Sequence, residues 1–449
     1  MKLSTISTTS NGLWTQQQIK RFAIQLFWYC FLAYVCSYIG RKNFSACLPE
    51  MIEEGFLTKT VGGYITTAYM LVYGTGQLVN GALGSRYKPV YMIGVGLFGA
   101  AGCNFLMGIM PSAMPMPIIW AANGLFHSML WAPIIRVFTD QIPDEQRLSA
   151  GANIGASCSV GAILAFVIPA VMLKFYSWRC VFFVSSLILF LSFVIWVLGN
   201  HHLRKYLRLM DVVCTNERTR LFAQTSTAGD GVAESTKPRK YSLLSIMLAT
   251  GIWVVFFALL CNGALRDGVE SWAPTFFKEQ FGISSSKAAL MSVVIPIISI
   301  SGTYTSNWLN NRYIKNELYT ACLMFVIASV AVLACYFMRH TNVLICAVFV
   351  ALSTAAMWGA NHMFLTQLPY HFATYGLSAA LTGLLNGFIY FSSALSSGLY
   401  GIIADRIGNW DVIIRIWFIS GVAGIFFSYI AGKSWKKKRT LTDEGKLFS

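Results

Sequence analysis

The 449-residue chain has few charged residues, since Asp, Glu, Lys and Arg together make up only 12% of it. An average soluble domain carries about 25%. Hydrophobic residues account for 56%, so the composition excludes an ordinary soluble protein and indicates an integral membrane protein. The N-terminal stretch MKLSTISTTSNGLWTQQQIKR also lacks the apolar core and cleavage site of a secretory signal peptide.

Sequence motifs of nucleotide-dependent and metal-dependent enzymes are missing. There is no GxxxxGK[ST] loop and no GxGxxG in a suitable context. The eleven cysteines are scattered, mostly in apolar runs, without a CxxC or a Cys/His cluster, and we interpret them as free buried thiols. We therefore expect no enzyme activity, no metal site and no cofactor, and any driving energy must come from a gradient.

Apolar runs long enough to cross a bilayer, about 20 residues each, recur twelve times. The predicted spans are residues 22–51, 61–83, 90–110, 115–138, 149–173, 179–199, 242–277, 287–309, 317–338, 342–369, 376–403 and 411–432. The expected fold class is therefore an all-α membrane protein with twelve transmembrane helices.

Basic residues concentrate in the loops after even-numbered spans, in the polar segment 200–241 and in the C-terminal stretch KSWKKKR. By the positive-inside rule these segments are cytoplasmic. This predicts a multi-pass protein of the cell inner membrane with both termini in the cytoplasm. The net charge of +16 is then mainly a topology signal, which argues against nucleic acid as a partner and leaves the lipid bilayer.

The two halves of the chain repeat each other. Arg41 is followed by a proline eight residues later and a glutamate thirteen residues later, and Arg266 is followed by the same residue types at the same intervals. Trp131 and Trp358 lie 227 residues apart. Because the copies are separated by six spans, they keep one orientation. We predict a parallel pseudo-repeat of two six-helix halves, the layout of the major facilitator fold, with an N-terminal half at 1–199, a linker loop at 200–241 and a C-terminal half with a basic tail at 242–449.

Arg41 and Arg266 occupy matching places in the first spans of the two halves. An arginine at the centre of a spanning helix costs about 2.5–3.5 kcal/mol on insertion scales, so both should face a shared water-filled cavity. A guanidinium directs two N–H groups at two oxygens of one oxyanion, and a facing pair suits a dianion such as phosphate or a phosphomonoester. A simpler interpretation, that Arg41 and Lys42 end a helix and snorkel to lipid headgroups, is weakened by the repeat.

Other polar residues are candidates for the same cavity. Six side chains could bind the rest of a ligand, because they lie on the helix face of an arginine or on spans expected to approach the cavity: Tyr34, Tyr38, Asn262, Asn361, Asn386 and Tyr390. For the two N-terminal tyrosines, helix packing is an equally good explanation. Asp267 and Glu270 are expected to neutralise Arg266 when the site is empty. Arg86 and Arg312, in matching turns, are expected to act in gating and topology.

Several stretches resemble a known family. YIGRKNFSACLPEMIEEGF, WAPIIR, YSWR and the segment from Arg266 to Pro274 are similar to the organophosphate:phosphate antiporters of the major facilitator superfamily, which include bacterial glycerol-3-phosphate and hexose-phosphate transporters. The resemblance covers most of the chain. It implies that Arg41 and Arg266 grip the phosphate and that Lys42 adds positive potential nearby.

The chain departs from that family at three positions. Gln77 stands where a lysine is frequent, Cys158 where glycerol-phosphate members have a histidine, and Ser85 where an acidic residue is expected. We expect a monomeric antiporter that exchanges an organophosphate for inorganic phosphate by alternating access. Two alternatives stay open: a proton-coupled symporter of organic carboxylates such as sugar acids, and a transporter-like sensor of sugar phosphates.

Overall fold

The structure is a computed structural model that describes residues 16–83, 87–143, 147, 150–151, 153–210, 242–375 and 377–443. Within these ranges all regular secondary structure is helical. The twelve long segments are α1 (Gln16–Glu53), α2 (Lys59–Leu83), α3 (Pro89–Ile109), α4 (Met116–Gln141), α5 (Gly155–Met172), α6 (Trp178–His202), α7 (Ile252–Phe281), α8 (Ser285–Ile314), α9 (Glu317–Met338), α10 (Val343–Tyr370), α11 (Ser378–Ile407) and α12 (Asp411–Asp443). Eleven of them are long and apolar enough to cross a membrane, and α2, with 25 residues, has the necessary length. The predicted all-α membrane fold is confirmed.

Two boundaries differ from the prediction. The predicted span 242–277 is divided at Gly251, whose φ of 74° ends a short helix, Leu243–Thr250, before α7 begins. Glycine adopts this left-handed conformation without the steric cost of a side chain. The helix α6 runs on to His202, into the predicted linker. Residues 211–241 lie outside the described residues, as do Ser85 and Arg86, so the linker boundaries and the gating prediction for Arg86 stay predictions.

Equivalent contacts in the two halves show the repeat directly. The indole Nε1 of Trp178, at the start of α6, donates to Glu54 Oε2 at 2.8 Å. The indole Nε1 of Trp410, just before α12, donates to Glu279 Oε2 at 2.9 Å. Each glutamate lies thirteen residues after the arginine of its half. The first and last helices of each half are therefore joined in the same way, as expected for a parallel duplication.

In the described part of the chain the two halves meet along α1 with α7, α2 with α11, α5 with α8 and, to a smaller extent, α1 with α8. In the second pair, Thr67 Oγ1 donates to the carbonyl oxygen of Ala394 at 2.8 Å. Close to it, a Cβ added at Gly63 would lie 3.0 Å from the carbonyl oxygen of Ser397. Small residues thus let the backbones of α2 and α11 approach each other, and the matching arginines on α1 and α7 face the seam between the halves.

The contact between α8 and α10 depends on Gly302, because a Cβ there would lie 1.8 Å from the carbonyl oxygen of Ala355. Overpacking of this kind costs about 1–3 kcal/mol and occasionally more. We expect Gly302→Val to lower the melting temperature and the yield of monodisperse protein. Gly102→Val is the matched control, since nothing lies within 4 Å of a Cβ at Gly102. Equal melting temperatures for both variants would contradict the observed packing.

A buried carboxylate fixes the end of α12 beneath the C-terminal half. Glu317, at the start of α9, accepts a hydrogen bond from Trp435 Nε1 at 2.9 Å and lies 3.2 Å from Arg439 Nη2. His371, in the turn between α10 and α11, bridges two carboxylates: its Nε2 lies 3.2 Å from Glu317 Oε1 and its Nδ1 lies 2.6 Å from Asp443 Oδ1. The last turns of α12 are therefore part of the folded transmembrane unit.

This bridge predicts a pH-dependent stability. Burial lowers the pKa of His371, but its hydrogen bonds with Glu317 and Asp443 outweigh that effect and raise the pKa above the usual value. A histidine whose pKa is raised in the folded state contributes its full stabilisation at pH values below its unfolded-state pKa, about 6.5. This contribution is lost as the pH rises through the folded-state pKa. We expect the melting temperature of the wild type to fall over that pH range. In His371→Gln this part of the pH dependence should be absent; an unchanged pH profile would contradict the bridge.

Candidate functional site

Arg41 lies within α1 and is enclosed by tyrosine rings. Its guanidinium carbon lies 4.4 Å from the ring centre of Tyr73, 5.3 Å from that of Tyr38 and 5.9 Å from that of Tyr69. Its Nη1 donates to Tyr73 Oη at 3.3 Å. The ring faces attract the cation and offset part of its lost hydration. Among the described residues no carboxylate pairs with Arg41, and its buried Nε has no hydrogen-bond partner, so this guanidinium is available to an anion.

Arg266 lies in a π-helical segment of α7, Ala264–Gly268, a type of irregularity frequent at functional sites. Its Nη2 lies 2.7 Å from Asp267 Oδ2 and its Nε lies 3.2 Å from Asp267 Oδ1. Ser393 of α11 donates to the same carboxylate at 2.8 Å. The Arg266 guanidinium carbon lies 4.7 Å from the ring centre of Trp358. Unlike Arg41, Arg266 is therefore already paired with an anion.

A third cation, Lys42, connects the two halves. Its Nζ lies 2.9 Å from Glu270 Oε2, and both side chains are buried. Asp267 thus neutralises Arg266 as expected, whereas the ion pair of Glu270 is with Lys42 rather than with Arg266. Breaking a buried ion pair leaves a buried charge without compensation and is costly. The Lys42–Glu270 pair therefore holds α1 of one half against α7 of the other.

Two tyrosines lie between the arginines. The ring centres of Tyr73 on α2 and Tyr390 on α11 are 4.8 Å apart, with an angle of 78° between the ring planes. Arg41 contacts the first ring, and the guanidinium carbon of Arg266 lies 6.0 Å from the centre of the second. The structure thus places one guanidinium from each half against a single aromatic pair, and the shared phosphate site of the two arginines stays a prediction.

A chain of hydrogen bonds crosses between the halves beside this pair. Asn386 Nδ2 donates to Gln77 Oε1 at 2.5 Å, and Gln77 Nε2 donates to Tyr73 Oη at 2.7 Å. Tyr69, Tyr73 and Gln77 are site residues that the sequence analysis missed, apart from noting Gln77 as a departure from the family. Their spacing of four residues along α2 is a signal that could have found them.

Three of the predicted ligand contacts lie outside this cluster. The Tyr34 ring packs 4.9 Å from that of Trp131 and contacts Tyr38 rather than Arg41 itself. Asn262 Nδ2 donates to the carbonyl oxygen of Met357 at 2.9 Å. Asn361 is buried, and the side-chain oxygens of both asparagines have no hydrogen-bond partner among the described residues. These two oxygens stay predicted acceptors, with no hydrogen bond to either arginine in the part of the chain described.

The backbone beside Arg41 is held by asparagines. The carbonyl oxygen of Gly40 accepts hydrogen bonds from Asn104 Nδ2 and Asn123 Nδ2, each at 3.1 Å. Asn104 Oδ1 in turn accepts from Asn43 Nδ2 at 2.8 Å. This network fixes α1 against α3 and α4 where its arginine enters the cleft. Asn123 therefore has a structural role in positioning α1.

The end of the bundle where α1 and α7 finish, here called the closed end, is sealed by contacts between the halves. Lys278 of α7 forms an ion pair with Glu53 of α1 and donates to the carbonyl oxygen of Pro49 at 3.2 Å. Lys59 Nζ lies 2.8 Å from Glu279 Oε2. Between this seal and Arg41 the structure describes a cavity of about 10 Å³, room for about one water. Direct contacts between the halves therefore close this end of the site in the structure.

Arg312, the other predicted gating residue, lies at the opposite end from this seal. It is exposed in the last turn of α8, a π-helical segment, Asn310–Ile314. Tyr304, Asn307, Trp308 and Asn311 of the same helix line an open pocket with it. Its position away from the arginine pair agrees with a role outside substrate binding, and the gating role itself stays a prediction.

Comparison with known proteins places the fold in a known group. The sequence profile described as Major Facilitator Superfamily matches residues 30–361. The chain is 26% identical over 436 residues to the "Glycerol-3-phosphate transporter" of Bacillus subtilis (strain 168), covering 93% of this chain and 94% of that protein. It is 22% identical over 307 residues to the "Probable hexose phosphate transport protein" of Chlamydia trachomatis serovar D, covering 67% of each.

Solved structures give the same architecture. A bacterial homologue of the human lysosomal transporter Spinster, in an inward-facing and occupied conformation, matches with a TM-score of 0.69 at 14% identity. The match covers 94% of this chain and 98% of that one. A likeness at this identity shows the fold alone.

Proposed function

This chain belongs to the major facilitator superfamily, and from that membership we propose that it exchanges an organophosphate for inorganic phosphate by alternating access. The protein is a multi-pass membrane transporter and not an enzyme. The proposal extends to its location in the cell inner membrane with both termini cytoplasmic, to N-terminal and C-terminal halves at 1–199 and 242–449, and to function as a monomer. The names of two relatives, a glycerol-3-phosphate transporter and a hexose phosphate transport protein, support the substrate class.

The observation that carries the proposal is that Arg41 and Arg266, one from each half, contact the two rings of the Tyr73–Tyr390 pair at the seam between the halves. Arg41 has no carboxylate partner among the described residues; its Nη1 donates to Tyr73 Oη, and its Nε is left for a ligand. A phosphate dianion is attracted to both groups and can accept two hydrogen bonds from each. Binding between the halves draws them together around the anion, as alternating access requires.

Exchange also requires that the empty carrier does not reorient. The Lys42–Glu270 pair and the Lys278–Glu53 pair both join the halves on the closed side of the site. A bound anion competes with Glu270 for Lys42 and so weakens the first pair. In this scheme the closed end opens only when an anion is present, which couples the outward movement of one phosphate compound to the inward movement of another.

Counterflow in proteoliposomes tests the proposal. Vesicles containing the full chain and loaded with phosphate should take up external glycerol 3-phosphate rapidly, whereas unloaded vesicles should take up little. Competition by glucose 6-phosphate, phosphoglycerate and glucuronate then shows which organic group the substrate site prefers. Uptake that ignores internal phosphate but follows an imposed pH gradient, with glucuronate as the best competitor, would instead identify a carboxylate symporter.

A further inference from the structure

We propose that Asp267 couples anion binding to proton uptake: a phosphate group takes the Arg266 guanidinium from Asp267, and the released carboxylate accepts a proton. The inference rests on the proposed function, because it concerns the same site. It deepens that function by adding a second ion, a proton that crosses the membrane with the bound anion.

Asp267 occupies the edge of the Arg266 guanidinium that we propose the phosphate takes over. Asp267 occupies both Nε and Nη2 of the guanidinium, at 3.2 and 2.7 Å. This is the edge that presents two parallel N–H groups to a carboxylate or a phosphate. Both side chains are buried, with 3% of Arg266 and 2% of Asp267 exposed. A phosphate that binds Arg266 through two hydrogen bonds at this edge must therefore displace the carboxylate.

Among the described residues, Asp267 has no second cation that is free to form an ion pair with it when Arg266 is taken. Charged and titratable groups surround the Arg266–Asp267 pair on four helices: Glu270 on α7, Arg41 and Lys42 on α1, Tyr69 on α2 and Tyr390 on α11. Lys42 is paired with Glu270 at 2.9 Å in the empty site, and the bound phosphate attracts both Lys42 and Arg41. What remains is one hydrogen bond from the Ser393 hydroxyl. The displaced carboxylate is thus a buried anion beside a second anion.

The charge balance of the site gives the number of protons. In the empty site, Arg41, Lys42 and Arg266 contribute three positive charges, and Asp267 and Glu270 contribute two negative charges, a net charge of +1. A phosphate dianion changes the net charge to −1. One proton on a carboxylate oxygen of Asp267 brings it to zero, which is the favourable state for a buried site. The proton enters from water in the cleft and returns to water when the anion leaves and Arg266 pairs with Asp267 again.

Proton uptake of this kind accompanies exchange and does not replace it. Each dianion that crosses in either direction carries one proton on Asp267, so an exchange of two dianions moves no net proton. A pH difference across the membrane then changes the affinity for the anion on each side. It is not required to drive the exchange.

Isothermal titration calorimetry measures the proton directly. Glycerol 3-phosphate is titrated at pH 8 into the purified full chain in HEPES and in Tris, whose ionisation enthalpies differ. At pH 8 a phosphomonoester is already a dianion, since its second pKa is about 6, so any proton taken up goes to the protein. The wild type should take up about one proton for each ligand bound. Asp267→Asn should take up none and should bind about tenfold more tightly, because the internal competitor has lost its charge.

The control is Asp411→Asn. Asp411 accepts hydrogen bonds from Nε and Nη2 of Arg339, at 2.7 and 3.2 Å, at the closed end of α12. The Asp411→Asn variant should take up the same number of protons for each ligand as the wild type. Binding by the wild type without proton uptake would overturn the inference and leave exchange intact. A proton count that persists in Asp267→Asn would also overturn it. If folded wild type binds neither glycerol 3-phosphate nor phosphate, the proposed function itself fails. The wild-type count decides the question even if Asp267→Asn does not fold.

Discussion

Arg41→Lys is expected to reduce phosphate exchange about ten- to a hundredfold with little change in the amount of folded protein. One ammonium cannot present the two parallel N–H groups that a guanidinium offers to an oxyanion. A hydrogen bond to a charged group contributes about 1.5–3 kcal/mol, and each 1.4 kcal/mol is a tenfold change in affinity. The shorter, spherical cation also loses stacking on Tyr73, whose ring centre lies 4.4 Å from the guanidinium carbon.

The measurement is the initial rate of phosphate–phosphate counterflow in proteoliposomes, normalised to the amount of inserted protein. Arg415→Lys is the matched control. Arg415 is exposed on α12 and donates to Tyr336 Oη at 3.2 Å, so the same chemical change there should leave the rate unaltered. Arg266→Lys should behave like Arg41→Lys. Wild-type exchange by Arg41→Lys would remove the guanidinium pair from the mechanism.

The position of both arginines could be predicted because burying a charged side chain in the membrane costs free energy. A cation within an apolar run is visible in the sequence alone, and its recurrence 225 residues later marks it as a feature of the repeat. The twelve helices follow from the same physics, since only length and hydropathy are needed. The break at Gly251, just before α7, was missed because a single positive φ leaves the apolar pattern intact.

The partners of these arginines could not be predicted in the same way. Helical spacing says which residues share a face of one helix, but it carries no information about which faces meet between the two halves. The Gln77–Asn386 and Lys278–Glu53 contacts join residues 309 and 225 positions apart. They depend on how the halves dock. The pairing of Arg266 with its neighbour Asp267 was anticipated from charge, although its two-bond geometry required the structure.

Breaking the Lys42–Glu270 pair should cost the protein about 3–5 kcal/mol of stability, because either partner alone is a buried charge without compensation. We expect Lys42→Met and Glu270→Met each to lower the melting temperature strongly. The double variant should regain most of the loss, since a buried ion pair replaced by apolar side chains of similar size is often neutral or stabilising. Lys59→Met is the control: its partner Glu279 is partly exposed, and such pairs contribute about 0–1 kcal/mol.

The double variant should recover stability but not transport. This difference tests whether the Lys42–Glu270 pair is a contact that the anion weakens. An anion cannot weaken an apolar contact between α1 and α7. We therefore expect Lys42→Met/Glu270→Met to fold while its rate of phosphate counterflow stays at least about tenfold below that of the wild type. This is the loss expected for one charge-assisted contact. Melting temperatures and counterflow rates of the four proteins form a complete double-mutant cycle. If the two stability losses simply add, the side chains do not interact in the membrane. If the double variant regains exchange together with stability, the pair is structural and the opening of the closed end must be controlled elsewhere, with the Lys278–Glu53 seal as the next contact to remove.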